Sequence, residues 1–386
     1  MGGSVRDLLM GKVPKDYDVA TDAIPEEVKT VFPRARLIGR RFRLAHVRMG
    51  GTLIEVATFR GPQLSEDDEH THESGRILRD NVWGTLEEDA MRRDFTINAM
   101  FLDPVSGDIQ DFAGGYKDLS ERKLRLIGDA RTRYREDPVR LLRAARFVAK
   151  LGVELGEETG KYVDEMAPLL KDIPPARLFE EVCKLFMTGH ASRTMETLQR
   201  FHLSHALFPV LEREGKSGRV KTGILMEKAL KNTDERVVNN RPVTPAFLFA
   251  ALFWQPVKAR AGVLRARGMQ EYLALGQAAD EVMSEQVKRT AVPRRFSVIT
   301  RQIWTMQPRF VHTHGRRAKS LMRERRFRAA YDFLLLRAEE DESLKGLCEH
   351  WTKAQIGVEL NSGGKEPFKS DKRRPHRRRR RKPSAA

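Results

Sequence analysis

A switch in hydrophobic period near Ile127 divides this 386-residue chain into two kinds of polypeptide. Ahead of it, residues 43–49 (RLAHVRM) and 49–59 (MGGTLIEVATF) alternate apolar and polar side chains. β-Branched residues dominate and Gly50-Gly51 lies between the two runs, which is the pattern of a hairpin. Residues 22–32 read as a helix, because Pro25 is tolerated in a first turn and Glu26 and Glu27 suit its positive end. Beyond Ile127 the period becomes helical. Residues 140–151 (RLLRAARFVAKL) place apolar side chains on one face and arginines on the other. Residues 178–187, 195–201, 246–254, 272–283 and 327–339 read the same way, and Pro174-Pro175, Pro209 and Pro293 read as breaks between helices. No internal repeat is present. The expected class is α+β: a sheet-bearing head over residues 1–127, a helical neck over 128–189, a helical body over 190–353 and a tail over 354–386.

Charge narrows the choice of partner. The net charge is +18, and residues 365–386 carry eleven Lys or Arg against Glu366 and Asp371, which is half of that total. A polyanion is therefore expected, with RNA, DNA and an anionic membrane surface all open on this ground alone. The tail has low complexity and is expected to be disordered. Cys183 and Cys348 are the only cysteines, too few for a disulfide framework. The longest apolar run, residues 246–254, is about half a membrane span, so no stable membrane insertion is expected. The N-terminus has no signal-peptide core. A reducing, cytoplasmic setting fits these features. Residues 61–76 are polar and acidic and read as a mobile loop. His70 and His72 lie in that stretch, and without a supporting strand they read as loop residues rather than metal ligands.

The chemistry-bearing residues begin at Gly2-Gly3-Ser4-Val5-Arg6-Asp7, a glycine turn leading into a short helix. Such a turn aims backbone N–H groups at a phosphate, and Ser4 and Arg6 add a hydroxyl and a charge, although a glycine pair before a helix is common. Asp16 and Asp18 flank Tyr17. On a strand they share one face, Tyr17 turns to the opposite face and packs in the core, and the two carboxylates repel unless a cation lies between them. Hard cations such as Mg²⁺ take such oxygen ligands; the bland reading of the pair is an exposed turn. Glu55, between Ile54 and Val56, is expected on the open face of the hairpin, beside a neighbouring strand's carboxylates. Trp83, Trp254, Trp304 and Trp351 are too scattered for a base-stacking platform and read as packing residues.

In this order, G-G-S-V-R-D, K-D-Y-D-V-A-T, I-E-V-A-T-F-R, E-D-A-M-R-R-D-F-T-I-N-A-M (residues 88–100) and R-E-D-P-V-R-L-L-R-A-A-R-F (residues 135–147), the segments resemble the class II nucleotidyltransferases. These are the bacterial poly(A) polymerases and tRNA CCA-adding enzymes, built on a DNA polymerase β-like head. The resemblance implies that Asp16 and Asp18 bind two Mg²⁺ ions and that Glu55 is a further ligand or the base for a 3′-hydroxyl. It also implies that Gly3, Ser4 and Arg6 contact a triphosphate and that Arg93 and Asp94 recognise a ribose 2′-hydroxyl. Asp137 and Arg140 would hydrogen-bond a base edge, with Arg143 and Arg146 on the same helix also reaching nucleotide; the bland reading of these three arginines is a solvated basic face.

Residues 37–47 (LIGRRFRLAHV), the arginine-rich end, QPRF at 307–310, GRRA at 315–318 and FRAAYDFLLLRA at 327–338 are similar to the bacterial poly(A) polymerase branch. No His-Asp dipeptide is present, so the phosphohydrolase domain of some CCA enzymes is not expected. The activity implied is template-independent addition of AMP from ATP to RNA 3′ ends, promoting RNA turnover. The helical body over 190–353 is expected to bind RNA, and RNA-decay proteins or an RNA chaperone are expected on the tail. The alternatives are CCA addition to tRNA and an RNA-binding protein without catalysis. One departure stands out: the family runs a hydrophobic strand into the glycine turn, whereas this sequence starts at Met1-Gly2. An unpaired sheet edge and loosely held phosphate contacts are the expected consequence.

Overall fold

The computed structural model describes residues 1–39, 43–61, 83–211 and 222–356. Arg40, Arg41 and Phe42, the loop with His70 and His72, and the basic tail beyond Ile356 therefore lie outside the described residues. The chain divides into two compact units, Met1–Arg301 and Gln302–Ala386.

The first unit opens with a sheet of four strands. Strand β1 is Asp18–Thr21, β2 Arg36–Ile38, β3 Leu44–Met49 and β4 Thr52–Thr58, in the spatial order β1-β4-β3-β2. The expected hairpin is present. Met49 pairs with Thr52 across a two-residue turn, and Gly50 adopts the left-handed φ of 59° that this turn demands. β1 pairs with β4 in parallel and is joined to no other strand among the described residues. One face of the sheet packs on the helix Pro25–Val31 through Val28, Ala35, Ala45 and Val47. That helix starts three residues later than the composition suggests. Asp22 and Ala23 lie ahead of it, and the Glu27 carboxylate accepts a bond from the Ile24 N–H at 2.9 Å, closing its first turn.

The Gly3–Leu9 helix follows Gly2, whose φ is +60°. A Cβ there would fall 2.8 Å from Arg93 Nη1, so glycine serves both the turn and the close approach. The helix Leu86–Met91 is closed by a capping box, with Glu88 N–H donating to Thr85 Oγ1 at 3.2 Å and Thr85 N–H donating to Glu88 Oε2 at 2.7 Å. Two short ladders follow, Phe101–Leu102 with Ile109–Gln110 and Lys123–Leu124 with Glu154–Leu155. The second brings a strand into the expected all-helical region.

The helix Val139–Leu151 buries Leu141, Leu142, Ala145, Phe147 and Val148 and ends at Gly152, whose φ of 69° suits a left-handed cap. The Pro175–Phe186 helix starts at the second of the paired prolines. The expected 246–254 helix ends at Leu252, and a new one starts at Trp254 with Pro256 in its first turn, where a proline costs no helical hydrogen bond. Phe186, Phe208, Phe253 and Phe249 make successive ring contacts through this core, the last pair stacked.

The second unit is helical. Gly315–Met322, Phe327–Ala338 and Lys345–Ala354 enclose Phe310, Leu321, Phe327, Tyr331, Leu334 and Trp351. Trp254, Trp304 and Trp351 are buried, whereas Trp83 is 37% exposed and packs less than expected. Among the described residues no helix is long and apolar enough to cross a membrane.

Candidate active site

Parallel pairing of β1 with β4 sets Asp18 opposite Glu55. Partners on adjacent strands project to the same face, so two carboxylates stand side by side there. On its other flank Glu55 meets His46, whose Nε2 lies 3.1 Å from Oε1. Asp16 is different from the expectation: the strand begins at Asp18, so Asp16 precedes it and strand alternation does not fix its direction. Its charge still acts on Asp18. Burial pushes the Asp18 carboxyl above its ordinary range, and the charge of Glu55 and more weakly that of Asp16 push the same way, against the terminal ammonium and Arg93. Tyr17 is also a correction. It is 50% exposed rather than packed, because it too lies ahead of the strand. Among the described residues no three His, Cys, Asp or Glu side chains converge tightly enough to enclose a metal ion. Asp18 and Glu55 share an exposed sheet face, and the charge of Asp16 reaches Asp18.

The glycine turn is fastened beside this face. Gly2 N–H donates to Met100 O at 2.8 Å, and the terminal ammonium donates to Asp18 O at 2.7 Å. Gly3 opens the helix, and the buried Ser4 hydroxyl donates to Met1 O at 2.9 Å. Arg6 is buried as well. It donates to Asp7 Oδ1 and, at 2.5 Å, to Asn98 Oδ1, and lies 5.3 Å from the Phe147 ring centre. Ser4 and Arg6 are thus bonded within the protein.

Asn98 joins Arg6 to a second set. Its Nδ2 donates to Asp94 Oδ1 at 3.3 Å, and Arg143 Nε donates to Asp94 Oδ2 at 2.5 Å. Arg6, Arg143 and Arg146 all stand within 5.5 Å of the Phe147 ring centre, where the ring face attracts cations. Burial, together with the charge of Arg143, lowers the Arg146 pKa. Arg93 reaches Asp89 Oδ2 at 2.8 Å and Asn98 O at 3.2 Å, and its guanidinium lies over Phe101. So the fold brings Arg6, Arg93, Asp94, Arg143 and Arg146 into one polar cluster, and the charge of Arg93 reaches Asp18.

Asp137 and Arg140 form a neighbouring pair of sites. Asp137 accepts Val139 N–H at 3.2 Å and Arg177 Nη2 at 2.7 Å. Arg140 Nη1 donates to Arg133 O at 2.5 Å and Glu136 Oε2 at 2.8 Å. Arg133 in turn donates to the carbonyls of Arg92 and Arg93, linking this pair to the arginine cluster.

Three family profiles match the chain: "Poly A polymerase head domain" over residues 1–125, "Probable RNA and SrmB- binding site of polymerase A" over 152–214 and "Polymerase A arginine-rich C-terminus" over 267–385. Poly(A) polymerase I of Escherichia coli O157:H7 is 45% identical over 99% of this chain and 85% of its own length. The chain belongs to the poly(A) polymerase family. Poly(A) polymerase I of Haemophilus influenzae strain Rd is 42% identical over 97% of the chain and 84% of its own length. A CCA-adding enzyme of Geobacillus thermodenitrificans is 40% identical over only 56% of the chain and 51% of its own length. Among solved structures, the Bacillus stearothermophilus CCA-adding enzyme in complex with CTP is similar, with a TM-score of 0.58 and 27% identity over 93% of this chain and 78% of that one. The expected architecture, a nucleotidyltransferase head followed by helices, is the one shared with that structure.

Four residues of this poly(A) polymerase family member earn a place that the sequence did not assign. Asp89 and Asn98 hold Arg93 and Arg6, while Arg133 and Arg177 hold the Asp137–Arg140 region. Asp89 and Asn98 stand inside the 88–100 run, but nothing local tells which polar residues of that run bond to the protein itself. Arg133 and Arg177 carry no signal of their own.

Proposed function

We propose that the chain adds AMP from ATP to RNA 3′ ends without a template, in the cytoplasm, as a step promoting RNA turnover. The observation that carries the reading is the pairing of Asp18 with Glu55 on one sheet face, next to the glycine turn and the arginine cluster. The RNA 3′-oxygen attacks the α-phosphorus of ATP. The bond from that phosphorus to the bridging oxygen breaks, pyrophosphate leaves, and the hydroxyl proton is lost to a base or to water.

The donor set fits a divalent cation. Hard oxygen donors are gathered where burial and mutual repulsion already raise the Asp18 pKa, which a nearby positive charge would relieve. Asp16 and Asp18 would hold two Mg²⁺ ions, with Glu55 as a further ligand or as the base. Such ions, when bound, acidify a 3′-hydroxyl and neutralise a triphosphate. Gly3, Ser4 and Arg6 would face the triphosphate, Arg6 exchanging Asp7 for it. Arg93 and Asp94 would read the ribose 2′-hydroxyl. Asp137 and Arg140 would read the adenine edge by exchanging Arg177 and Glu136 for it, a carboxylate and a guanidinium together offering acceptors and donors. Arg143 and Arg146 would keep the cluster positive toward the nucleotide. Residues 128–189 would serve as neck and 190–353 as body, and the tail would recruit RNA-decay proteins or an RNA chaperone.

Incubating an unstructured RNA with each NTP singly tests the activity. Long tails with ATP alone are expected. Addition of a short C-C-A to tRNA, with no ATP-dependent tails, would refute it.

A further inference from the structure

The four strands of the head sheet carry one row of ionisable side chains in register. Asp18 on β1 pairs with Glu55 on β4, Glu55 with His46 on β3, and His46 with Arg36 on β2. Residues paired across adjacent strands project to the same face, so two carboxylates, an imidazole and a guanidinium stand in line. The opposite face is already covered. Ala45 and Val47, which alternate with His46 along β3, are buried against Val28 of the helix Pro25–Val31, and Val56 packs with them. The row lies on the face that this helix leaves open.

Within the row one contact is direct: His46 Nε2 lies 3.1 Å from Glu55 Oε1. A carboxylate only accepts, so the proton of this bond belongs to Nε2 and the imidazole is the donor. The bond occupies one oxygen of Glu55, and Oε2 has no partner among the described residues. The tether comes from β3, on the opposite side of β4 from Asp18. Folding stability does not account for the pair. The Glu55 and His46 side chains are 51% and 21% exposed, and a pair so placed contributes little to stability. Nor would a permanent cation serve in its place. A lysine or arginine at position 46 would also donate, yet its charge would compete for the two carboxylates with any cation on this face. The guanidinium of the row, Arg36, stands one strand further off.

We infer that His46 is a positioning residue for nucleotide transfer, holding the Glu55 carboxylate beside Asp18 with one oxygen free. The inference rests on the reading of Asp18 and Glu55 as the catalytic face. It covers either role of Glu55. A cation ligand and a proton acceptor both need a carboxylate of fixed direction, and in both roles its charge adds to the hold on a cation. His46 acts through Glu55 alone, by a hydrogen bond and not by a charge.

The test uses the full chain at one fixed pH with His46→Leu, which removes the donor, and His46→Gln, which keeps a neutral N–H donor. Single AMP addition to an unstructured RNA gives kcat and KM for ATP. Binding of Mn²⁺ alone is followed by electron paramagnetic resonance of the free ion. Loss of a group that orients a ligating side chain costs about 10–100-fold in activity or metal affinity, so His46→Leu should lower kcat and weaken Asp18-dependent Mn²⁺ binding within that range. KM for ATP stays unchanged. His46→Gln should recover most of both losses, and the thermal midpoint should move by at most about 2 °C in either variant. Wild-type kcat in His46→Leu would overturn the positioning role. So would a lowered kcat with unchanged Mn²⁺ affinity, or His46→Gln no better than His46→Leu, since either assigns the loss to altered packing and not to the bond. Asp18→Asn separates the two levels. Near-normal transfer, or Mn²⁺ binding indifferent to this substitution, would refute the catalytic reading of the face. An inactive Asp18→Asn beside a fully active His46→Leu would refute the His46 assignment alone.

Discussion

Asp89→Asn tests the polar frame under the candidate site. Asp89 is 3% exposed and accepts from Arg92 Nε at 3.0 Å and Nη2 at 2.7 Å, from Arg93 Nε at 3.3 Å and Nη2 at 2.8 Å, and from Arg60 N–H at 3.3 Å. Asparagine keeps the shape and one acceptor but loses the charge that balances two guanidiniums. Removing one partner of a buried ion pair costs about 3–5 kcal/mol. The Arg92 and Arg93 side chains are 34% and 20% exposed, so water recovers part of their solvation and the lower end, about 3 kcal/mol, is expected. For a unit of this size, Met1–Arg301, that amounts to a fall in thermal midpoint of roughly 5 °C, readable by circular dichroism.

The pH dependence adds a second check. Burial alone would raise the Asp89 carboxyl, but Arg93 and Arg92 outweigh it and hold the group below its ordinary range. A depressed folded-state value means the stabilisation is present above the unfolded-chain value and is lost as pH falls through the folded one. The gap between wild type and variant should therefore hold from neutral pH to about pH 4 and shrink below it. Equal stability at pH 7, or a gap that persists undiminished at strongly acidic pH, would refute the reasoning.

Asp18→Asn and Asp16→Ala should each lower nucleotide transfer by at least about 1000-fold while RNA binding, resting on basic surface, is retained in a filter assay; near-normal transfer in either variant would contradict the assigned roles. Arg177→Ala, which frees Asp137, should cost only about 0.5 kcal/mol of stability because the Arg177 side chain is 47% exposed, but should change the ratio of kcat/KM for ATP and CTP; an unchanged ratio would argue against Asp137 as a base reader. Burial pushes the Cys183 thiol to about 11, so it should resist Ellman's reagent at pH 8 until the chain is unfolded, and rapid labelling of the folded protein would show the burial to be wrong. Removing residues 365–386 should weaken RNA binding at low salt and spare single-nucleotide addition; abolished addition would contradict the separation of tail from catalysis.

The parts of the fold that the sequence makes legible are those fixed by neighbours in the chain. The hairpin follows from alternation on both sides of Gly50-Gly51, and Glu55 between two partly buried apolar residues follows with it. Asp16 and Tyr17 show where this reasoning stops. Alternation governs direction only inside a strand, and β1 begins one residue after Tyr17. The arginine cluster was legible in membership but not in wiring. Arg143 finds Asp94 at a separation of 49 residues and Arg177 finds Asp137 at 40, and no local pattern distinguishes an arginine turned toward a carboxylate of its own chain from one turned toward substrate.

The bond between Arg143 and Asp94, extended through Asn98 to Arg6, bears on how such a chain diversifies. One end of that bond stands on the helix that carries Arg140, the other beside Arg93. If these residues contact the nucleotide as proposed, a substitution at either end that retunes nucleotide preference would also strip a partner from a partly buried charge. Lineages drifting toward a new substrate must then change residues in compensating pairs, so the pace of specialisation is limited by the polar network rather than by the pocket alone.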